Sequence, residues 1–334
     1  MTTPQHSTTV LPWNEQEIGD LSGLTAVVTG GSAGVGLAVT ERLARAGARV
    51  LIGARDLDRA RAAADGVGGQ VESAALDLED PESVRSFAAW VRERTGGPDG
   101  GGVDLLVNNA GISNPEFGLA RATRVERQFA VNHLGHFALT GLLLPLLVVA
   151  EGPRAGGARV VTVSSSLYEH APLDLSRLAD PEGYSPGLGY VRSKLANVLF
   201  ATELDRRLAA TANATATATG DRDRTGARVR SLVAHPGLAR TPMHDTYPSP
   251  ETTEAVRQAL AVSGRDPHDA VIGILHAALA PQVSPDAFYG PGGEPGTPSE
   301  HVTAEPLRAL ALDAELAAAL WKASEQLSGV SYAQ

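Results

Sequence analysis

Residues 25–36 read Thr-Ala-Val-Val-Thr-Gly-Gly-Ser-Ala-Gly-Val-Gly. The apolar run Ala26 to Val28 predicts a buried strand. A glycine cluster follows, and Leu37, Ala38, Leu43 and Ala44 then recur at helical spacing. Strand, glycine turn and helix form the context in which a glycine motif binds a dinucleotide. Gly30 permits the tight turn, and Gly34 and Gly36 let a pyrophosphate approach the backbone. The helix start offers unpaired N–H groups and partial positive charge to the phosphates. Ser32 and Val35 lie in the same turn and count with the glycines as cofactor-binding candidates.

Beyond this unit the hydrophobic periods keep alternating. Strands are expected at 25–29, 49–52, 70–75, 103–107, 159–163 and 229–234. Helices are expected at 34–46, 57–65, 81–94, 123–149 and 190–208. Alternating strand and helix imply an α/β fold: one doubly wound parallel sheet with helices on both faces. The short run Ala287–Tyr289 predicts an added edge strand. Loops are expected at 96–102, 151–157, 211–226 and 291–298, with the Ala/Thr tract 211–219 a flexible insertion. The expected organisation is an N-terminal extension, 1–20, and one catalytic domain, 21–334. Insertions are placed near 166–189, 211–226 and 240–268.

Tyr190 and Lys194 stand four apart in Tyr-Val-Arg-Ser-Lys, on one face of a predicted helix. The only other lysine is Lys322; arginine carries nearly all the positive charge. A compact ammonium beside a phenol favours the phenolate, lowering a pKa that is about 10 in isolation. Tyr190 is therefore a candidate general acid/base, with Lys194 tuning it.

The glycine spacing is T-G-x-x-x-G-x-G, and with Y-x-x-x-K it resembles the short-chain dehydrogenase/reductase family. Further marks follow in order. Asn108-Asn109-Ala110-Gly111 matches N-N-A-G, Asn132 lies where the family has a catalytic asparagine, and Val160 to Ser166 ends a strand in serines. Pro236-Gly237 and Thr241 complete P-G-x-x-x-T. The resemblance covers residues 20 to 330 and implies a Rossmann-type fold. It also implies cofactor-binding roles for Asn109, Ala110, Gly111, Pro236, Gly237 and Thr241, and for Asp77, with its neighbour Leu78, at the adenine. Tyr190 and Lys194 would touch the nicotinamide end.

After the second strand comes Gly53-Ala54-Arg55-Asp56. An acid at position 54 would favour NAD; Ala54 followed by Arg55 favours NADP(H), because a guanidinium pairs with the extra phosphate. Ala33, where many NADP-binding relatives carry a base, and Asp56 argue the other way, so NAD is the less favoured cofactor. The resemblance implies that Tyr190 gives a proton to a carbonyl receiving hydride, a serine steadies the oxygen, and Asn132 anchors a relay water towards Lys194. Of Ser164, Ser165 and Ser166, the family's strand end selects Ser165, with Ser164 as runner-up. The long gap from Ser165 to Tyr190, Asn-His-Leu-Gly-His-Phe at 132–137 and Ser-Lys-Leu-Ala-Asn-Val-Leu-Phe at 193–200 resemble the retinol dehydrogenase/protochlorophyllide reductase-like subgroup. That subgroup handles bulky apolar carbonyls and alcohols, so a small hydrophobic substrate is expected. Two alternatives are a redox-neutral epimerase or cyclase on this scaffold and a nucleotide sensor without catalysis.

Composition sets the outer bounds. A formal charge of −10 over 334 residues argues against a nucleic-acid partner. The chain has no cysteine, so thiolate chemistry is excluded. No uncharged apolar run approaches about 18 residues, so no membrane span is expected. The polar N-terminus lacks a signal pattern, and a cytoplasmic protein is expected. His133 and His136 lack companions at metal-site spacing and read as packing; no metal is expected. Tyr168 and His170 are candidates to line the substrate site or the surface, Tyr247 and 242–250 form a candidate lid, and Trp13 is expected to dock on the body. The resemblance implies a homodimer or homotetramer through the helices beginning near Thr123 and Tyr190, unless the insertion blocks it.

Overall fold

The computed structural model describes residues 8–97, 100–113, 115–148, 157–219, 229–244 and 250–332. One sheet organises it. Its strands are β1 (Thr9–Leu11), β2 (Thr25–Thr29), β3 (Arg49–Ala54), β4 (Val71–Ala75), β5 (Leu105–Asn108), β6 (Arg159–Val163), β7 (Arg230–Ala234), β8 (Ala287–Pro291) and β9 (Val302–Pro306). Their order is β1-β9-β8-β7-β6-β5-β2-β3-β4. From β4 to β8 every pairing is parallel, while β9 and β1 add antiparallel. The chain winds outward from β2 to β4 and then returns to place β5 on β2's other side. This is the switch point at which such sheets open a ligand crevice.

Strand alternation builds two cores. Ala26, Val28, Val50, Ile52, Leu105 and Val107 face one layer, with helices α1 (Gly34–Arg45) and α9 (Ile272–Leu279). Val27, Leu51, Leu106 and Val160 face the other, against α3 (Pro81–Thr95), α5 (Gly135–Val148) and α6 (Pro186–Thr219). Helices α2 (Leu57–Val67), α4 (Arg127–Phe129), α7 (Pro250–Ser263), α8 (Pro267–Ala270) and α10 (Ala314–Ser328) complete the set.

Several expectations need correction. The helix expected from Thr123 begins at Arg127, where the Glu126 carboxylate accepts the Gln128 and Phe129 N–H groups. It then widens into a π turn, Ala130–Leu134, before α5. The tract 211–219 is no loose insertion: α6 runs on through Thr219. Alanine is the best helix former, and the Thr211 hydroxyl donates back to the Arg207 carbonyl at 3.2 Å. Residues 220–226 of that expected loop lie outside the described residues, as do Tyr247 and most of 151–157. Strand β8 is not an edge, because β9 and then β1 cover it. The N-terminal extension thus supplies the outer strand, and Trp13 docks edge-on against His276 at 5.5 Å.

The run Arg127–Leu147 is long and apolar enough to cross a membrane by length and composition, contrary to expectation. Most of it is buried within the domain, as a core helix is. Helix α10 lies across α5 and α6, with Trp321 on Phe137 and Phe200 and the Tyr332 hydroxyl donating to the Phe137 carbonyl at 2.7 Å. The chain's own C-terminal helix therefore fills part of the face from which assembly was expected.

Candidate active site

The glycine turn closes the C-terminal end of β2. Gly30 and Gly34 hold φ of +66° and +52°, which side-chain-bearing residues rarely adopt. A Cβ at Gly36 would collide with the Gly30 carbonyl, and one at Gly34 would stand 2.9 Å from the Thr241 methyl. The P-G-x-x-x-T segment and the glycine turn are thus brought face to face. Ser32 is buried in the turn and Val35 half-buried. Helix α1 starts after Ala33 with no side-chain cap, so its first N–H groups have no partner from a capping side chain. A side-chain-free turn before an uncapped helix fits a pyrophosphate.

The N-N-A-G segment forms the opposite wall. Thr29 reaches across the switch point: its hydroxyl accepts the Asn109 and Ala110 N–H groups at 2.9 and 3.0 Å. The Asn109 amide donates to the Thr29 carbonyl at 2.9 Å. Arg55 projects exposed just past β3, while the Asp56 carboxylate caps α2 by accepting the Arg59 N–H at 3.0 Å. Asp77 turns its own loop, accepting the Glu79 N–H at 3.0 Å, and Leu78 packs beneath Gly135. Pro236 and Gly237 follow β7, with Gly237 at φ +62° beside Pro291.

Asn132 sits fully buried in the π turn. Its side-chain oxygen accepts the Ile112 N–H at 2.8 Å, and its nitrogen donates to the Ile112 carbonyl and the Ser193 hydroxyl, both at 2.9 Å. The Ser193 hydroxyl in turn donates to the Tyr190 carbonyl at 2.7 Å. The asparagine therefore clamps the segment after Gly111 to the turn of α6 bearing Tyr190. Sequence reasoning missed Ser193; its signal was a serine beside Lys194.

Lys194 is buried, and its ammonium lies 5.6 Å from the Tyr190 ring centroid. It donates to the Val163 carbonyl at 3.1 Å, and Asn197 supports the same oxygen from 3.3 Å. A Cβ placed on Gly111 would stand 3.7 Å from that ammonium. Burial pulls the Lys194 pKa from its usual 10.5 down to about 8. Ser164 is buried and donates to the Lys194 carbonyl at 2.7 Å, facing the helix. Ser165 is half-buried, and its hydroxyl accepts only a long bond, 3.3 Å, from the Leu167 N–H. Asn132, Ser193, Tyr190 and Lys194 thus form one connected group, with Ser165 two residues beyond the carbonyl that holds the lysine.

Other candidates have plainer places. The Tyr168 hydroxyl accepts the Arg308 N–H at 2.9 Å and the ring packs on Phe288, so Tyr168 is structural, whereas His170 is exposed. His133 is buried among Phe129, Phe137 and Phe200. No cluster able to hold a metal occurs among the described residues.

Known proteins share this pattern. The family model described as short chain dehydrogenase matches residues 24–176. Mouse polyprenol dehydrogenase is 33% identical over 321 residues, covering 92% of this chain and 84% of that protein. The chain belongs to the short-chain dehydrogenase/reductase family. Within it the chain falls in the retinol dehydrogenase-like subgroup. Mouse retinol dehydrogenase 14 is 37% identical over 238 residues, 67% of this chain. That match spans 63% of the mouse protein's length. The crystal structure of an uncharacterised protein from Mycobacterium paratuberculosis superposes with a TM-score of 0.69 at 35% identity, covering 97% of this chain and all of that one. Members of this family bind a nicotinamide dinucleotide, and the turn, Asn109–Gly111, Thr241 and Lys194 fit that group here.

Proposed function

We propose that the protein is an NADP(H)-dependent oxidoreductase interconverting a bulky hydrophobic carbonyl compound and its alcohol. The observation that carries the proposal is the buried Lys194 ammonium, one helical turn from Tyr190 and tied to the end of the serine-bearing strand. When bound, the dinucleotide supplies or accepts the hydride. Tyr190 donates its phenolic proton to the developing alkoxide during reduction and takes it back during oxidation. Lys194 stabilises the phenolate left behind. Ser165 holds the substrate oxygen, since Ser164 is committed to the Lys194 carbonyl. Asn132 and Ser193 keep the helix turn and the Gly111 segment in register, and the Asn132 site anchors the relay water.

The preference for NADP(H) is supported by Arg55, exposed just past β3 and free to pair with an added phosphate, and by Asp56, whose carboxylate is engaged as a helix cap. The substrate class is supported by relatives named for retinol and polyprenol, both long apolar alcohols. The formal charge of −10 supports an enzyme that binds no nucleic acid, and a cytoplasmic location is part of the same proposal.

The test is direct titration with NADPH and NADH, followed by NADPH oxidation with a panel of bulky apolar aldehydes. Tighter binding of NADPH is expected. Arg55→Ala should lose about 1.5–3 kcal/mol of NADPH binding and leave NADH unchanged. Equal affinity for the two dinucleotides would overturn the cofactor assignment. Turnover without net NADPH consumption would replace the redox reading with a redox-neutral one.

A further inference from the structure

His136 is buried, and the reaction as derived above does not use it. Its two ring nitrogens nevertheless touch both halves of the site. Nε2 lies 2.8 Å from the Thr29 hydroxyl, and Nδ1 lies 3.0 Å from the Asn132 carbonyl oxygen.

A hydroxyl has two acceptor lone pairs and one proton. The Thr29 lone pairs are both taken, by the N–H groups of Asn109 and Ala110. Its proton has two acceptors in reach, His136 Nε2 at 2.8 Å and the Val107 carbonyl at 3.4 Å. The shorter contact takes it. Nε2 is then a bare acceptor, so the ring proton sits on Nδ1 and donates to the Asn132 carbonyl. Every polar atom in the chain of contacts is satisfied in this one arrangement. Burial, reinforced by the nearby Lys194 charge, draws the ring's pKa from 6.5 to about 4, so the neutral form persists through the physiological range.

The geometry around His136 is that of a coupling. Thr29 ends β2, immediately before the glycine turn, and its hydroxyl fixes the Asn109–Ala110 wall of the dinucleotide crevice. Asn132 lies in the π turn, where Gly135 donates five residues back to Ala130 and the ordinary helical ladder is interrupted. A ring side chain bridges these elements where the backbone ladder does not.

We propose that His136 is a positioning residue that couples the dinucleotide crevice to the proton-handling half of the active site, through Thr29 on Nε2 and the Asn132 carbonyl on Nδ1. This rests on the oxidoreductase reading for what the two halves do. The ring itself touches no substrate.

The two contacts can be removed separately in the full chain. His136→Asn keeps a nitrogen where Nδ1 stands and drops the Thr29 contact. His136→Gln keeps a polar group where Nε2 stands and drops the Asn132 contact. His136→Leu drops both. NADPH affinity is read by fluorescence titration, and turnover at saturating NADPH with the apolar aldehyde the wild type reduces fastest. His136→Asn should weaken NADPH binding by about tenfold and largely keep kcat. His136→Gln should keep NADPH affinity and lose about tenfold in kcat. His136→Leu should show both losses. A purely structural histidine would lower the melting temperature in all three without splitting the two readouts, and that result overturns the proposal. Ring nitrogen NMR of the wild type gives an activity-free arm: a proton on Nδ1 is expected, and a proton on Nε2 overturns the proposal. A wild type that binds NADPH but reduces no carbonyl would count against the oxidoreductase reading, while the binding and NMR arms still judge His136.

Discussion

The ammonium of Lys194 donates to the carbonyl oxygen of Val163 at 3.1 Å, and Val163 is the last residue of the strand that leads into Ser165. One helix residue therefore fixes the spacing between the proton donor's helix and the serine's strand. The same contact takes the ammonium out of water.

The pH dependence of reduction should follow from that burial. Lys194 is cationic below about pH 8 and neutral above it. If its charge is needed to stabilise the Tyr190 phenolate left after proton transfer, kcat/KM should fall as pH rises through about 8. A profile that stays flat to pH 10 would show that another group supplies the charge.

Tyr190→Phe keeps the ring and removes only the hydroxyl. Turnover should drop on the order of 100-fold or more, with NADPH affinity nearly unchanged. Full turnover in a folded mutant, with chemistry rate-limiting, would reassign the acid.

The two serines should separate cleanly. Ser165→Ala should lose roughly 100-fold in turnover while keeping its melting temperature. Ser164→Ala removes a buried bond to the Lys194 carbonyl and should cost about 1 kcal/mol of stability, with a smaller catalytic effect. A larger catalytic loss in Ser164→Ala would move the substrate oxygen to that side of the strand end.

Gly36→Ala tests the cradle without touching the acid or base. The added methyl would meet the Gly30 carbonyl, so the turn must open. Overpacking of this kind costs about 1–3 kcal/mol, and nucleotide affinity should fall with it. Isothermal titration with NADPH and a melting curve give both numbers; unchanged affinity would place the phosphates elsewhere.

Acid should unfold the protein early. Burial holds His133 near pKa 3 and His136, His235 and His276 near 4, all below the usual 6.5. Folded pKa values below unfolded ones mean stability is intact above about 6.5 and is lost as pH falls towards 4. Each histidine contributes a slope of up to about 1.4 kcal/mol per pH unit in that window. Denaturant melts between pH 7 and 4.5 measure it; a level stability there would mean these rings charge freely in the folded state.

Much of the architecture was legible in the sequence because the strands of a buried parallel sheet are short apolar runs between turns. Strands β2 and β6 match their expected limits residue for residue. The outer strands were harder. Thr9–Leu11 and Val302–Pro306 pair antiparallel at an edge and carry few buried residues, so periodicity left little trace. The helix starts were misplaced for a local reason: a glutamate cap at 126 and a proline entry at 186 override the apolar pattern. Tyr190, Lys194 and the glycines were visible as motifs. Thr29, His136 and Ser193 were not, because their roles depend on contacts between segments 61 to 107 residues apart.

The position of Trp321, Val330 and Tyr332 in the same core as Val27 and Leu51 has a consequence for how the chain is made. During synthesis β2 and β3 emerge well before residues 321–332, so the core layer that Val27 and Leu51 share with Trp321 and Val330 closes only when that later segment arrives. Helices α3, α5 and α6 cover most of that layer first, and the segment 321–332 then acts as the latch that closes it.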